Sequence, residues 1–182
     1  MFRFVKYWIT SHKHLIGLVS VVYVFSAFGL PGGSHDDRHL FVIARSKNAN
    51  IVCYDLNKDA KGLANKERPL RVYWINKTDH PGEESPLNYI QDKFAYGYSS
   101  KVLAGGAFEI SLVAFPDRKL ILEPDGKNGY RARVMISGKP SLLKKIFVQA
   151  KPGNSLKVAW VDIYGIDIQT GKSLTERITP AK

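Results

Sequence analysis

The sequence predicts a mainly β domain: an antiparallel β-sandwich or barrel of about 8–9 strands with one short helix. Three observations carry this. Short runs rich in Val, Ile, Phe, Tyr and Trp recur about every 8–12 residues. Gly, Pro, Asn and Asp clusters separate them, as turns require. Only one stretch carries a helix start signal. The chain has 182 residues, which suits one domain of ordinary size.

The first segment is not part of that domain. Residues 1–14 carry Arg3, Lys6 and Lys13 and no acid, and Leu15 to Leu30 is an uncharged apolar run. Ala27 and Gly29 supply small residues at its exit. A basic start, a short apolar stretch and a small-residue exit read as a signal peptide over 1–30. The run has 16 residues, while a spanning helix needs about 20. The alternative is an uncleaved anchor over 15–30. The expected location is therefore outside the cytoplasm: periplasm, cell envelope or extracellular space. Removing the three cations from a formal +11 leaves +8 on the mature chain. Cys53 is the only cysteine, which excludes an internal disulfide and a cysteine-based zinc site. It lies in an apolar run and is expected to pack as a small buried hydrophobe.

Residues 31–39 read as a mobile leader, and 40–180 as the β domain. Strands are predicted over 40–44 and 50–54, joined by Lys47-Asn48-Ala49-Asn50, where Asn tolerates left-handed backbone. In 70–75, Leu70, Val72 and Trp74 alternate with Arg71 and Tyr73, the pattern of a half-buried strand. The loops 56–69 and 76–86 are long and polar, and long loops often border binding sites. Ser85 as cap, Pro86 in the first turn and Leu87, Ile90 and Phe94 on one face predict the helix. Strands follow over 108–115, 119–122, 130–136, 143–150, 156–168 and 173–178. The cluster 124–129 predicts a hairpin turn, and Gly165 a bulge in the longest strand.

Several catalytic and metal motifs fail on spacing. Thr170-Gly171-Lys172-Ser173 is no phosphate loop, because Gly165 stands one residue too far upstream and a strand follows. Ser141-Leu142-Leu143-Lys144 lacks the companion motifs of acyl-transfer enzymes. Asp125-Gly126-Lys127-Asn128-Gly129 lacks the third-position acid and the terminal Glu of a calcium loop. His35, Asp36, Asp37 and His39 contain metal-ligand chemistry but read more simply as a solvated leader. No metal or cofactor is expected.

What remains is a set of basic and aromatic residues. Arg45 and Lys47 stand beside Asn48 and Asn50, Arg71 and Tyr73 share a strand, and Tyr96 follows the helix. Arg and Tyr suit anionic or sugar ligands through forked hydrogen bonds and stacking. An ordinary solvated sheet face with cross-strand ion pairs explains them equally. The expected function is a non-catalytic β domain binding a small anionic or amphipathic ligand, lipid or glycan. Candidate ligand-binding residues are Arg45, Lys47, Asn48, Asn50, Arg71, Tyr73 and Tyr96. No nucleic-acid motif is present, and membrane contact is expected only through an uncleaved N-terminal segment. The alternatives are a hydrolase with a dispersed acid–base pair such as Asp55 and Glu109, or an assembly partner using an exposed strand edge.

Arg45-Ser46-Lys47-Asn48-Ala49-Asn50-Ile51-Val52-Cys53-Tyr54-Asp55, Val72-Tyr73-Trp74-Ile75, Ala95-Tyr96-Gly97, Tyr164-Gly165-Ile166-Asp167 and Thr170-Gly171-Lys172 together resemble an uncharacterised family of small exported proteins of bacterial type. The family is catalogued as a domain of unknown function. The resemblance covers about residues 40–178, implies a domain type and lends no catalytic residue.

Overall fold

The computed structural model describes residues 38–126 and 129–180. The predicted signal segment, nearly all of the predicted leader and two residues of the 124–129 turn lie outside them. Among the described residues no helix is long and apolar enough to cross a membrane.

The domain is mainly β with one short helix. Strands β1 (His39–Arg45) and β2 (Asn48–Leu56) form a hairpin, and β3 (Leu70–Ile75) pairs with β2. The short β4 (Glu84–Pro86) pairs with β3. Helix α1 (Tyr89–Gln91) runs straight into a π turn, Asp92–Tyr96. Then come β5 (Tyr98–Val102), β6 (Phe108–Leu112), β7 (Phe115–Pro124) and β8 (Tyr130–Ile136). The last three strands are β9 (Lys139–Lys151), β10 (Asn154–Asp167) and β11 (Ser173–Ile178).

All 11 described strands form one sheet, so the expected 8–9 undercounts them. The path β4-β3-β2-β1-β9-β8-β7-β6-β5 curls into a half-barrel, with β10 and β11 on the far edge of β9. The pivot is β9. Residues 139–142 pair with β8, while Lys145–Val148 pair with β1. That β1–β9 pairing is parallel, which corrects the all-antiparallel expectation. A 13-residue strand has edge enough for both neighbours, and the two arms it carries curl toward each other. The arms meet where the Tyr98 hydroxyl donates to the Leu70 carbonyl at 2.8 Å and accepts from the Leu70 amide at 2.9 Å.

The core fills the concave side. Phe41, Val52, Tyr54, Ile110, Leu122, Ile136, Leu143 and Ile163 are fully buried there. Phe41 and Tyr54 stack with centroids 4.4 Å apart. Burying such side chains stabilises by about 1.5–3 kcal/mol each.

Local chemistry explains the departures from expectation. The first hairpin turn is Ser46-Lys47 rather than the asparagine run, and it is Lys47 that takes left-handed backbone (φ 64°). His39 opens β1 instead of ending the leader, because its Nδ1 meets Asp55 Oδ1 at 2.9 Å. The predicted strand 108–115 divides at Val113-Ala114, where the chain reverses into β7. Strands β4 and β5 lack an apolar pattern and were not expected. The helix begins at Asn88, not Ser85. The Asn88 side chain accepts the Gln91 amide at 2.9 Å, and Gln91 Oε1 accepts the Asn88 amide at 3.0 Å, a capping box. Leu87 therefore precedes the helix, and the shared face with Ile90 and Phe94 dissolves. Those two side chains are 68% and 70% exposed.

Gly165 does bulge its strand. The β9–β10 register shifts between Tyr164 and Gly165. A Cβ there would stand 2.5 Å from Ile136 Cδ1 and 2.6 Å from the Leu142 carbonyl oxygen, so the close approach requires glycine.

Candidate functional site

Two separate strands converge on one short stretch of backbone. From β2, the buried Tyr54 hydroxyl donates to the Tyr96 carbonyl at 2.6 Å. From β3, Trp74 meets the Tyr96 ring edge-on at 5.1 Å, and its Nε1 donates to Gln91 Oε1 at 3.1 Å. Gly97 closes the π turn. Its amide donates to the Asp92 carbonyl, and a Cβ on it would lie 2.0 Å from that same oxygen. Tertiary contacts thus hold the widened turn open, a feature found often at functional sites.

This turn forms one wall of a cleft of about 210 Å³ at the end of the half-barrel. Phe94, Ala95 and Tyr96 come from the turn, Leu112 and Phe115 from the β6–β7 reversal, and Ile43, Ile146, Val148, Val158 and Val161 from β1, β9 and β10. Alternation along β1 and β9 sends Ile43, Ile146 and Val148 to the concave side, and the register shift between Val158 and Trp160 lets Val158 and Val161 join them. Arg45, two residues beyond Ile43 on β1, is the one charged residue among the described lining. The result is an apolar slot with a guanidinium at its rim. It can take a small apolar group whose head carries a negative charge.

The candidate residues separate into three places. Arg45 and Tyr96 share the cleft. Lys47 sits in the exposed hairpin turn. Asn48 and Asn50 act structurally there: Asn48 Oδ1 accepts the Asn50 amide at 3.0 Å, and Asn50 Oδ1 accepts the Lys77 amide at 2.9 Å. Arg71 and Tyr73 lie on the convex face. Arg71 bonds Glu84 at 2.6 Å and stacks 4.2 Å above the Tyr73 ring. The Tyr73 hydroxyl donates to Asp55 Oδ2 at 2.6 Å, and burial, reinforced by Asp55, pushes its phenol up. Sequence reasoning missed Phe94, Phe115 and Val148, whose positions depend on the curl of the sheet. The only signal was the Ala95-Tyr96-Gly97 string.

Asp55 and Glu109 do not meet. Asp55 on β2 is taken up by His39 and Tyr73, and four strands lie between it and Glu109 on β6 along the sheet. Cys53, 2% exposed, has its thiol pushed up to about 12, first by burial and then by Asp55. It is a poor nucleophile at neutral pH. Among the described residues no group of three or more His, Cys, Asp or Glu could hold a metal ion.

Comparison with curated proteins and with solved structures gives no match. A family model does match, over residues 41–177, and it spans all the motif strings named in the sequence. The chain belongs to the family described as a domain of unknown function, DUF4833.

Proposed function

We propose that this protein is an exported, non-catalytic binding module whose ligand is a small amphipathic monoanion, an alkyl or acyl chain ending in a carboxylate or similar group. One observation carries the reading: an apolar cleft in which Arg45 is the one charged residue among the described lining. Apolar walls with few placed polar groups are the usual make-up of small-molecule sites. A carboxylate meets the guanidinium fork in two parallel charge-assisted hydrogen bonds. The cleft has the volume of about seven waters at about 30 Å³ each, room for a short alkyl chain. Support for export is the basic start and apolar run of residues 1–30.

The test is a calorimetric titration of the full chain with a series of saturated alkanoates. Affinity should rise with chain length by about 0.8 kcal/mol for each buried methylene until the slot is full. Ala114→Trp, at the exposed rim of the cleft, should block binding without unfolding the domain. Absence of saturable binding, or binding unaffected by the plug, would remove this reading.

A further inference from the structure

We infer that a wide cleft lined by Lys58, Lys61 and Lys66 is a second anion site, and that it takes a small phosphate ester. It lies at the opposite ends of β6 and β7 from Arg45: Phe108 and Pro124 line it, while Leu112 and Phe115 line the apolar slot. Its volume, about 790 Å³, falls within the range of about 300–1,000 Å³ typical of small-molecule sites.

Lys58, Lys61 and Lys66 line this cleft, and the described lining contains no acidic residue. Among the described residues none of the three takes part in an ion pair. All three come from the loop between β2 and β3, and that loop is pinned. Asp59 Oδ1 accepts the amides of Lys61 and Leu63 at 2.8 and 3.0 Å, spending its charge within the loop. Lys58 bridges to Ala64, which is 4% exposed and anchored in the core. Holding the lysine stems on a fixed loop lowers the entropy cost of gathering them around a ligand.

The facing wall is made for close approach. Gly105 and Gly106 both take left-handed backbone (φ 68° and 77°) and bring no side chain into the space. The Tyr130 hydroxyl fixes this wall by donating to the Gly106 carbonyl at 3.1 Å. Leu63, Val102 and the Tyr130 ring offer apolar surface to the carbon part of a ligand.

The cations choose the anion. Ammonium groups are compact point donors suited to phosphate oxygens, whereas planar carboxylates favour the guanidinium fork. No arginine belongs to this described lining. Three positive charges also match a dianion better than a single carboxylate. This inference stands apart from the alkanoate reading of the Arg45 slot, because the two clefts share no lining residue.

The test titrates the full chain with inorganic pyrophosphate, followed by calorimetry and by amide chemical shifts. The expected result is one saturable site, weakened by added salt, with shifts concentrated at Gly62, Gly105 and Gly106. The combined variant Lys58→Glu, Lys61→Glu, Lys66→Glu should bind about tenfold more weakly or worse. Lys145→Glu, on an exposed part of β9, should bind like the wild type. No saturable binding, shifts spread evenly over the charged surface, or full binding by the combined variant would overturn the inference. If the combined variant does not fold, the exposed single substitution Lys61→Ala decides, with a measurable loss expected and wild-type affinity contradicting the site.

Discussion

Tyr54 and Tyr96 stand 42 residues apart in the chain, yet the Tyr54 hydroxyl donates to the Tyr96 carbonyl at 2.6 Å. Tyr54 is fully buried, and burial pushes its phenol well above the usual tyrosine value, so it remains a neutral donor. The bond ties the concave face of β2 to the π turn that walls the apolar cleft. It links core packing directly to the shape of the candidate site.

Removing that donor should therefore affect both. Tyr54→Phe keeps the ring stacked on Phe41 but leaves the Tyr96 carbonyl without this partner. The expected cost is about 1–3 kcal/mol, that of a buried polar group deprived of its bond. Denaturant unfolding checks the stability, and alkanoate titration should show weaker binding as the wall loosens. An unchanged midpoint and affinity would mean that the turn is held by other contacts.

The two glycines with crowded backbones make a sharper pair. Gly97→Ala would drive a methyl into the Asp92 carbonyl oxygen, 2.0 Å away, and Gly165→Ala into Ile136 and the Leu142 carbonyl. Overpacking of this kind typically costs about 1–3 kcal/mol, and unyielding backbone partners set both at the upper end. Gly62→Ala, with open space around its Cβ position, should be milder despite its left-handed backbone (φ 78°). Thermal melts of the three variants would rank them.

Acid should weaken the fold through three carboxylates. Arg118 holds Glu176 below its ordinary 4.5, Arg177 holds Asp162 below 3.8, and the Gln169 amide does the same for Asp167. A depressed carboxylate binds its proton less readily in the folded chain than in the unfolded one. Its contribution is complete above the ordinary value and is lost as pH falls below it. Stability should be flat near neutrality and decline below about pH 4.5. Glu176 also accepts the Ser137 amide at 2.6 Å, so it joins β11 to β7 and to the β8–β9 turn. Glu176→Gln should lower the melting temperature at pH 7 and reduce its pH dependence below 4.5.

The fold was legible where apolar alternation is strong. Leu70, Val72 and Trp74 on β3 and Phe108, Ile110 and Leu112 on β6 mark their strands without help. β4 and β5 were not legible, because Glu84-Ser85-Pro86 and Tyr98-Ser99-Ser100-Lys101-Val102 are strands only through pairing with a neighbour. The parallel β1–β9 junction depends on a long-range meeting that no local pattern encodes. Site chemistry divided the same way. Arg45 and Tyr96 stood out by residue type, yet only the curl of the sheet brings them to one cleft. Arg71 and Tyr73 looked equally suited to a ligand, but the sheet places them on its convex face, away from the cleft, where they bond Glu84 and Asp55.

The central claim is that Arg45 reads the charged head of an amphipathic ligand. The measurement is the octanoate affinity of wild type and Arg45→Gln, with methyl octanoate as the uncharged control. Losing a charge-assisted hydrogen bond of about 1.5–3 kcal/mol should weaken octanoate binding about tenfold or more. Methyl octanoate should bind both proteins alike. Equal octanoate affinity in wild type and Arg45→Gln would contradict the account.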